Sequence, residues 1–248
     1  MGVSQAGFLP LWSGVLLDLQ RGAGQAAGVR FPTLLFMTGL LLAGAPCIAA
    51  DAVAKEVALF DGKNVDDWEM VDIGASGYVE LDEDKGELII RQGDSLSGAI
   101  YKKAKALPVE RYEITLEAKR TAGVDFFCGL TFPVGNLDTC ATLILGGWGG
   151  SVTGISSIDG MDASNNATGT YQRYEDDKWY AVRLRVTPEN LSAWIDGKQV
   201  VDIDIAGRKV SLRAGPMESY APLSLSTFNT EAAFRKVLFK EVKKEPVK

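Results

Sequence analysis

Histidine is absent from the whole chain of 248 residues. Its absence excludes Ser-His-Asp triads, Cys-His dyads and zinc sites that use imidazole ligands. Acid–base chemistry in this protein must therefore use Asp, Glu, Lys or Tyr, or a water molecule bound to a metal ion.

Positive charge is also scarce, since Lys and Arg together number 26 against 32 Asp and Glu, for a net charge of −6. Binding to a phosphate backbone requires clustered Lys and Arg side chains. The only basic cluster is the tail 240–248, where Glu241 and Glu245 interrupt it, as is typical of a solvated chain end. We therefore predict no nucleic-acid partner.

Residues 31–50, which follow Arg30, form an uncharged segment with the sequence FPTLLFMTGLLLAGAPCIAA. A short apolar run that ends in small residues is typical of a secretory signal peptide. A membrane anchor is the alternative, because about 20 apolar residues span a bilayer. We predict that residues 1–50 are an N-terminal extension plus signal peptide, with translation starting at Val29. The cleaved protein is then periplasmic or extracellular and has no stable membrane span.

Cysteine occurs three times, and Cys47 lies within the predicted signal peptide. The other two, Cys128 and Cys140, fall in one predicted β-hairpin and would meet an oxidising compartment. A disulfide requires Cα atoms within about 7 Å of each other. The sequence leaves both a disulfide and two buried free thiols open.

Helical periodicity is nearly absent, whereas short strand patterns separated by turns run through the chain. The segment 112–119 alternates apolar and polar residues, as a half-buried strand does, and Asp196-Gly197 is a typical hairpin turn. The clearest predicted strands are 112–119, 126–132, 141–145, 179–186, 191–195 and 199–203. A long polar loop is predicted over 146–170. The pattern predicts one all-β domain over 51–248, with its core at about 57–242 and the architecture of a sandwich or jelly roll.

Three segments occur in a characteristic order: ALFDGKNVDDWEM at 58–70, WYAVRLRVTPENLSAWIDGKQVVD at 179–202 and PLSLSTFNTEAAFRKVLFKEV at 222–242. Together they resemble the bacterial 3-keto-disaccharide hydrolase domain family, over about residues 57–242. The resemblance implies a concanavalin A-like, laminin-G-like jelly-roll sandwich of two antiparallel sheets. It also implies a carbohydrate partner and, for some members, hydrolysis of keto-modified disaccharides.

Two carboxylates are candidates for catalysis. Asp125 precedes an apolar strand, and Glu117 lies on the polar face of the strand before it. Hydrolysis of a glycosidic bond uses paired carboxyl groups about 5–10 Å apart. The alternative is that Asp125 only begins a strand and Glu117 lies on a solvated face.

Four further residues are candidates for substrate binding. Trp148 lies between two pairs of glycines, which leave its indole prominent enough to bind a sugar ring; the alternative is a lid on the core. Asp159 and Asp162 can accept hydrogen bonds from hydroxyl groups or bind a divalent cation such as Ca²⁺, or serve only as turn formers. Trp194 shares a strand face with polar residues. No metal site or cofactor is predicted.

These observations predict an exported, glycan-active protein, and they leave two functions open. The first is a hydrolase of glycosidic bonds in small or 3-keto-modified saccharides. The second is a non-catalytic carbohydrate-binding or adhesion module with the same fold.

Overall fold

The computed structural model describes residues 56–243, and these residues form fifteen strands. In chain order the strands are β1 (Glu56–Phe60), β2 (Trp68–Met70), β3 (Val79–Asp82), β4 (Glu87–Ile90), β5 (Leu96–Tyr101), β6 (Tyr112–Gly123), β7 (Cys128–Val134), β8 (Asn136–Gly146), β9 (Val152–Ser156), β10 (Thr170–Tyr171), β11 (Tyr180–Val186), β12 (Asn190–Ile195), β13 (Lys198–Asp204), β14 (Ser224–Phe228) and β15 (Thr230–Glu241). The predicted signal peptide, the start at Val29 and the domain boundary at residue 50 lie outside the described residues.

The strands form two antiparallel sheets, which confirms the predicted fold class. Sheet A has the order β13-β12-β11-β6-β15-β4-β3, and β1 pairs with β15 beside this path. Sheet B has the order β10-β9-β8-β7-β14-β5-β2. Short helical turns occur at Val65–Asp67, Ala104–Ala106, Gly147–Gly150 and Pro216–Tyr220. Within 56–243 no helix is long and apolar enough to cross a bilayer.

Most strands of sheet A bury only one face. Along β6, buried and half-exposed residues alternate, so that Tyr112, Ile114 and Leu116 enter the core between the sheets. The β12–β13 hairpin turns at Asp196 and Gly197, whose φ angles of 49° and 79° are both positive. Two such residues in succession match the twist of a tight hairpin. The alternating strands and this hairpin were therefore visible in the sequence.

The central part of sheet B is buried on both faces. Every residue of β7 and β9 is buried. The inner face contributes Leu130 and Phe132 to the main core. The connection 205–223, between β13 and β14, covers part of the outer face, where Met217 and Tyr220 pack against Leu96, Phe126 and Ile144.

The segment 146–170 differs from the predicted polar loop, because it contains β9, paired with β8 and β10. The prediction was wrong at 152–156 because this strand is buried on both faces and includes Gly and Ser, so that it shows no apolar alternation. The rest of the segment is braced by side chains. Asn166 Nδ2 donates to the Ile155 carbonyl at 2.8 Å, and Thr168 Oγ1 accepts from the Ile155 N–H at 2.8 Å.

Cys128 and Cys140 are both buried free thiols. In the β7–β8 hairpin, Cys128 lies opposite Leu145 and Cys140 lies opposite Pro133. The two cysteines are therefore at opposite ends of the hairpin, beyond the reach of a disulfide. Burial raises the pKa of Cys128 to about 12 and that of Cys140 to about 11.

We expect both thiols to resist alkylation in the native protein at pH 8, because burial limits access and keeps them protonated. Trypsin should release both cysteines in one peptide, residues 121–173. Mass spectrometry of this peptide should find no iodoacetamide label on native protein and two labels after unfolding without reductant. A peptide 2 Da lighter (two hydrogens) that takes up no label would show a disulfide and contradict the predicted free thiols.

Candidate functional site

A cleft of about 450 Å³ opens on the outer face of sheet B. We call it the Trp148 cleft. Its floor comes from β8, β9, β14 and the start of β5, one wall from the 125–126 segment and Trp148, and the opposite wall from 213–217. The lining residues are Leu96, Asp125, Phe126, Thr142, Ile144, Trp148, Ser156, Arg213, Ala214, Pro216, Met217 and Phe228. The lining is mostly apolar with a few polar groups, as is typical of pockets for small molecules.

The turn that presents Trp148 follows directly from β8. Trp148 has a left-handed backbone, with φ 50° and ψ 53°, and its neighbour Gly149 has φ 83°. A Cβ atom on Gly147 would come within 2.8 Å of Ile144 Cγ2, so the turn can lie against the sheet only because that residue is glycine. The indole is left 38% exposed at the rim of the cleft.

Asp125 fixes the position of this turn. One carboxylate oxygen, Oδ1, accepts the N–H of Phe126 at 2.8 Å, and the other, Oδ2, accepts the N–H of Gly149 at 2.9 Å. The Asp125 N–H in turn donates to Thr230 Oγ1 at 3.0 Å. The structure therefore brings together Asp125 and Trp148, two of the residues predicted from the sequence, at one cleft.

Two further polar groups of the cleft were not predicted. The Arg213 guanidinium lies 5.9 Å from the centre of the Trp148 ring, within the range of a cation–π contact. Ser156 is 4% exposed, and its Oγ has no hydrogen-bond partner within 56–243. Arg213 lies in a connection without strand periodicity and Ser156 in the unrecognised β9, so the sequence pattern gave no signal for either.

Glu117 lies apart from this cleft, on the outer face of sheet A. It accepts a hydrogen bond from Lys236 at 2.8 Å and also pairs with Arg235. Partial burial opposes its charge, but these two hydrogen bonds outweigh that effect and lower the pKa of the carboxyl. The structure does not bring Glu117 and Asp125 together, because they line different cavities.

Trp194 lines the same cavity on sheet A as Glu117. The Arg183 guanidinium lies 3.8 Å from the centre of its ring. One face of this indole is thus occupied by a cation. The structure places Trp194 outside the Trp148 cleft.

The carboxylates of Asp159 and Asp162 form hydrogen bonds that stabilise the loop in which they lie and its contact with residues 208–209. Asp159 accepts the Lys209 N–H at 2.9 Å and pairs with Arg208 at 2.8 Å, and its pKa is lowered chiefly by the Lys209 N–H. Asp162 Oδ1 accepts hydrogen bonds from Ser164 and Asn165. Neither aspartate lines the Trp148 cleft, and residues 56–243 contain no group of three acidic or Cys side chains placed to hold a metal ion.

We expect Asp125→Ala to lower the free energy of unfolding by about 1–3 kcal/mol, because two backbone N–H groups lose their acceptor. Chemical denaturation measures this change. Asp138→Ala is the matched control, since Asp138 is an exposed aspartate of β8 and no backbone N–H of residues 56–243 donates to its side chain; it should leave stability nearly unchanged. Equal stabilities of the two variants would contradict the assigned role of Asp125.

Comparison with known proteins identifies both the fold and the family. The Crh5 transglycosylase is 12% identical, with a TM-score of 0.52 over 78% of this chain and 85% of that one. Domain 4 of AbnA, an extracellular arabinanase from Geobacillus stearothermophilus solved with arabinotriose, is 12% identical, with a TM-score of 0.51 over 77% and 94%. The carbohydrate-binding module CBM66 from Bacillus subtilis is 12% identical, with a TM-score of 0.44 over 71% and 96%.

The likenesses to the Crh5 transglycosylase and to domain 4 of AbnA show a shared fold. No curated protein sequence matches the chain significantly. Residues 55–240 match the family model described as the 3-keto-alpha-glucoside-1,2-lyase-like domain, which confirms the resemblance inferred from the three segments. The chain therefore belongs to the 3-keto-alpha-glucoside-1,2-lyase-like domain family.

Proposed function

We propose that the Trp148 cleft binds a small saccharide. The observation that supports this most is the exposed indole of Trp148 beside three polar groups, namely the carboxylate of Asp125, the guanidinium of Arg213 and the hydroxyl of Ser156. A sugar ring has an apolar C–H face and a polar rim of hydroxyls. An aromatic face with hydrogen-bonding groups around it suits both parts of the ring.

The comparisons support the same ligand class. The family description refers to a glucoside, and one structure of the same fold was solved with arabinotriose. The cleft volume of about 450 Å³ is within the range of small-molecule pockets.

A second proposed function is elimination from a 3-keto glycoside, with Asp125 as the base. The family description favours it, and Asp125 is the only carboxylate among the cleft residues. Hydrolysis through two carboxylates has less support, since Glu117 lies on the other sheet. Elimination needs one base, and each oxygen of Asp125 keeps a lone pair beyond its bond to a backbone N–H.

The elimination proceeds at the carbon next to the ketone. The hydrogen on C2 of the sugar is acidic because the C3 carbonyl stabilises the resulting enolate. Asp125 takes that proton, the C1–C2 double bond forms, and the C1–O bond breaks. The leaving oxygen keeps the electron pair and takes a proton from water, and the resulting hydroxide takes the proton from Asp125, which restores the carboxylate.

We also propose that the protein is exported, on the basis of the uncharged segment 31–50 that follows Arg30. Cell fractionation followed by N-terminal sequencing tests this proposal. Recovery of the protein from the periplasm or the medium, with a new N-terminus near residue 50, is expected. Recovery of the full-length chain from the cytoplasm alone would contradict it.

Trp148→Ala should weaken saccharide binding by about tenfold, since stacking on the indole contributes up to about 1.5 kcal/mol. Isothermal titration with α-glucosides and with arabino-oligosaccharides measures the change. Trp194→Ala is the matched control, because it removes an indole from the outer face of sheet A, and it should bind as the wild type does. Loss of binding in Trp194→Ala with none in Trp148→Ala would place the site on sheet A instead.

Asp125→Asn should slow elimination from a 3-keto-α-glucoside by about 100-fold or more, because the amide has no basic oxygen. The rise in ultraviolet absorbance of the conjugated enone product measures the rate. Glu117→Gln should keep the wild-type rate, since Glu117 lies outside the cleft. Full activity in Asp125→Asn would show that Asp125 is not the base. If the wild type shows no turnover, elimination is contradicted and saccharide binding is the function that retains support.

A further inference from the structure

Arg213, unlike most arginines within 56–243, forms no ion pair with a carboxylate of these residues. Within 56–243 the other arginines pair with carboxylates, with one exception, Arg173. Arg213 contacts only the Trp148 ring and forms no ion pair with any of these residues. An arginine in an acidic protein is usually neutralised by a neighbouring carboxylate, and the wall of this cleft lacks that partner.

Asp125, the one carboxylate among the residues that line the cleft, forms no ion pair with Arg213 and does not neutralise its positive charge. Both oxygens of Asp125 accept backbone N–H groups, from Phe126 at 2.8 Å and from Gly149 at 2.9 Å. The negative charge is thus held against the Trp148 turn. The guanidinium of Arg213, on the opposite wall, keeps its five N–H donors for a ligand.

Ser156 provides a second, independent indication of a polar ligand group. It is 4% exposed, it lines the same cleft, and its Oγ has no partner within residues 56–243. A buried hydroxyl without a partner is destabilising, and a hydrogen bond with a ligand would remove that penalty. Within residues 56–243, the guanidinium of Arg213 thus has no carboxylate partner and the hydroxyl of Ser156 has no hydrogen-bond partner.

We propose that the saccharide bound in the Trp148 cleft is acidic, with a carboxylate or sulfate substituent that pairs with Arg213. This inference depends on the proposed saccharide binding and specifies its ligand class. The sugar ring packs on Trp148, and the acidic substituent accepts hydrogen bonds from the Arg213 guanidinium. Arginine binds such planar or branched oxyanions through two parallel hydrogen bonds, which are stronger than bonds between neutral groups.

The experiment compares matched pairs of methyl glycosides by isothermal titration at low ionic strength. Each pair has a neutral sugar and its acidic counterpart: glucoside with glucuronide, galactoside with galacturonide, mannoside with mannuronide. The corresponding 6-sulfated glycosides are titrated as a third series. Comparison of this series with the carboxylated sugars shows whether the site prefers a carboxylate or a sulfate. The wild type should bind one acidic series about tenfold more tightly than its neutral partner, as expected for about 1.4 kcal/mol.

Arg213→Gln should abolish this preference, and Arg213→Lys should keep part of it because the charge remains. Arg173→Gln is the matched control, since Arg173 is also unpaired but lines a different cavity; its preference should equal that of the wild type. Thermal unfolding of each variant checks that it folds.

Equal affinity for the neutral and acidic sugars, with binding still lost in Trp148→Ala, would overturn this inference and leave saccharide binding in place. A preference that survives in Arg213→Gln would also overturn it. Failure of the folded wild type to bind any of these glycosides would count against both proposals.

Discussion

Burial of the central part of sheet B on both faces is the constraint on which the candidate site depends. The inner face packs against sheet A, and the outer face packs under the connection 205–223 through Met217 and Tyr220. A sheet covered on both sides needs small residues where the covering chain approaches closely. Gly98 in β5 shows this need, because a Cβ there would lie 2.9 Å from Cε1 of Tyr220 in the covering connection. The Trp148 cleft lies between the connection 205–223 and the Trp148 turn.

Asp125 connects the fold to the site. Its carboxylate joins the start of β7 to the Trp148 turn through two backbone N–H groups, so the position of the indole depends on the same contacts that order the strand. The residues that would bind a sugar thus come from separate parts of the chain, the 125–126 segment, the end of β8, β9 and the connection 205–223. A site of this kind exists only in the folded chain.

The sequence predicted the elements with a simple physical pattern. Strand β6 alternates because one face is solvated, and the turn at Asp196-Gly197 has a distinctive composition. Strand β9 was missed because two-sided burial removes alternation. Within the site, Trp148 and Asp125 were recognisable by their glycine and apolar neighbours, whereas Arg213 and Ser156 have no local signature. The predicted pair of Asp125 and Glu117 does not form, because Glu117 lies on sheet A and Asp125 lies at the cleft on sheet B. The alternation of polar and apolar residues along a strand does not reveal which of the two sheets the strand joins.

The most direct test is a crystal structure of the protein soaked with the tightest-binding glycoside of the titration series. We predict a sugar ring packed on the Trp148 indole, between Asp125 and Arg213, with a hydroxyl or acidic oxygen within hydrogen-bond distance of Ser156 Oγ. Density for the sugar on the outer face of sheet A, beside Trp194 and Glu117, with the Trp148 cleft containing only water, would contradict it.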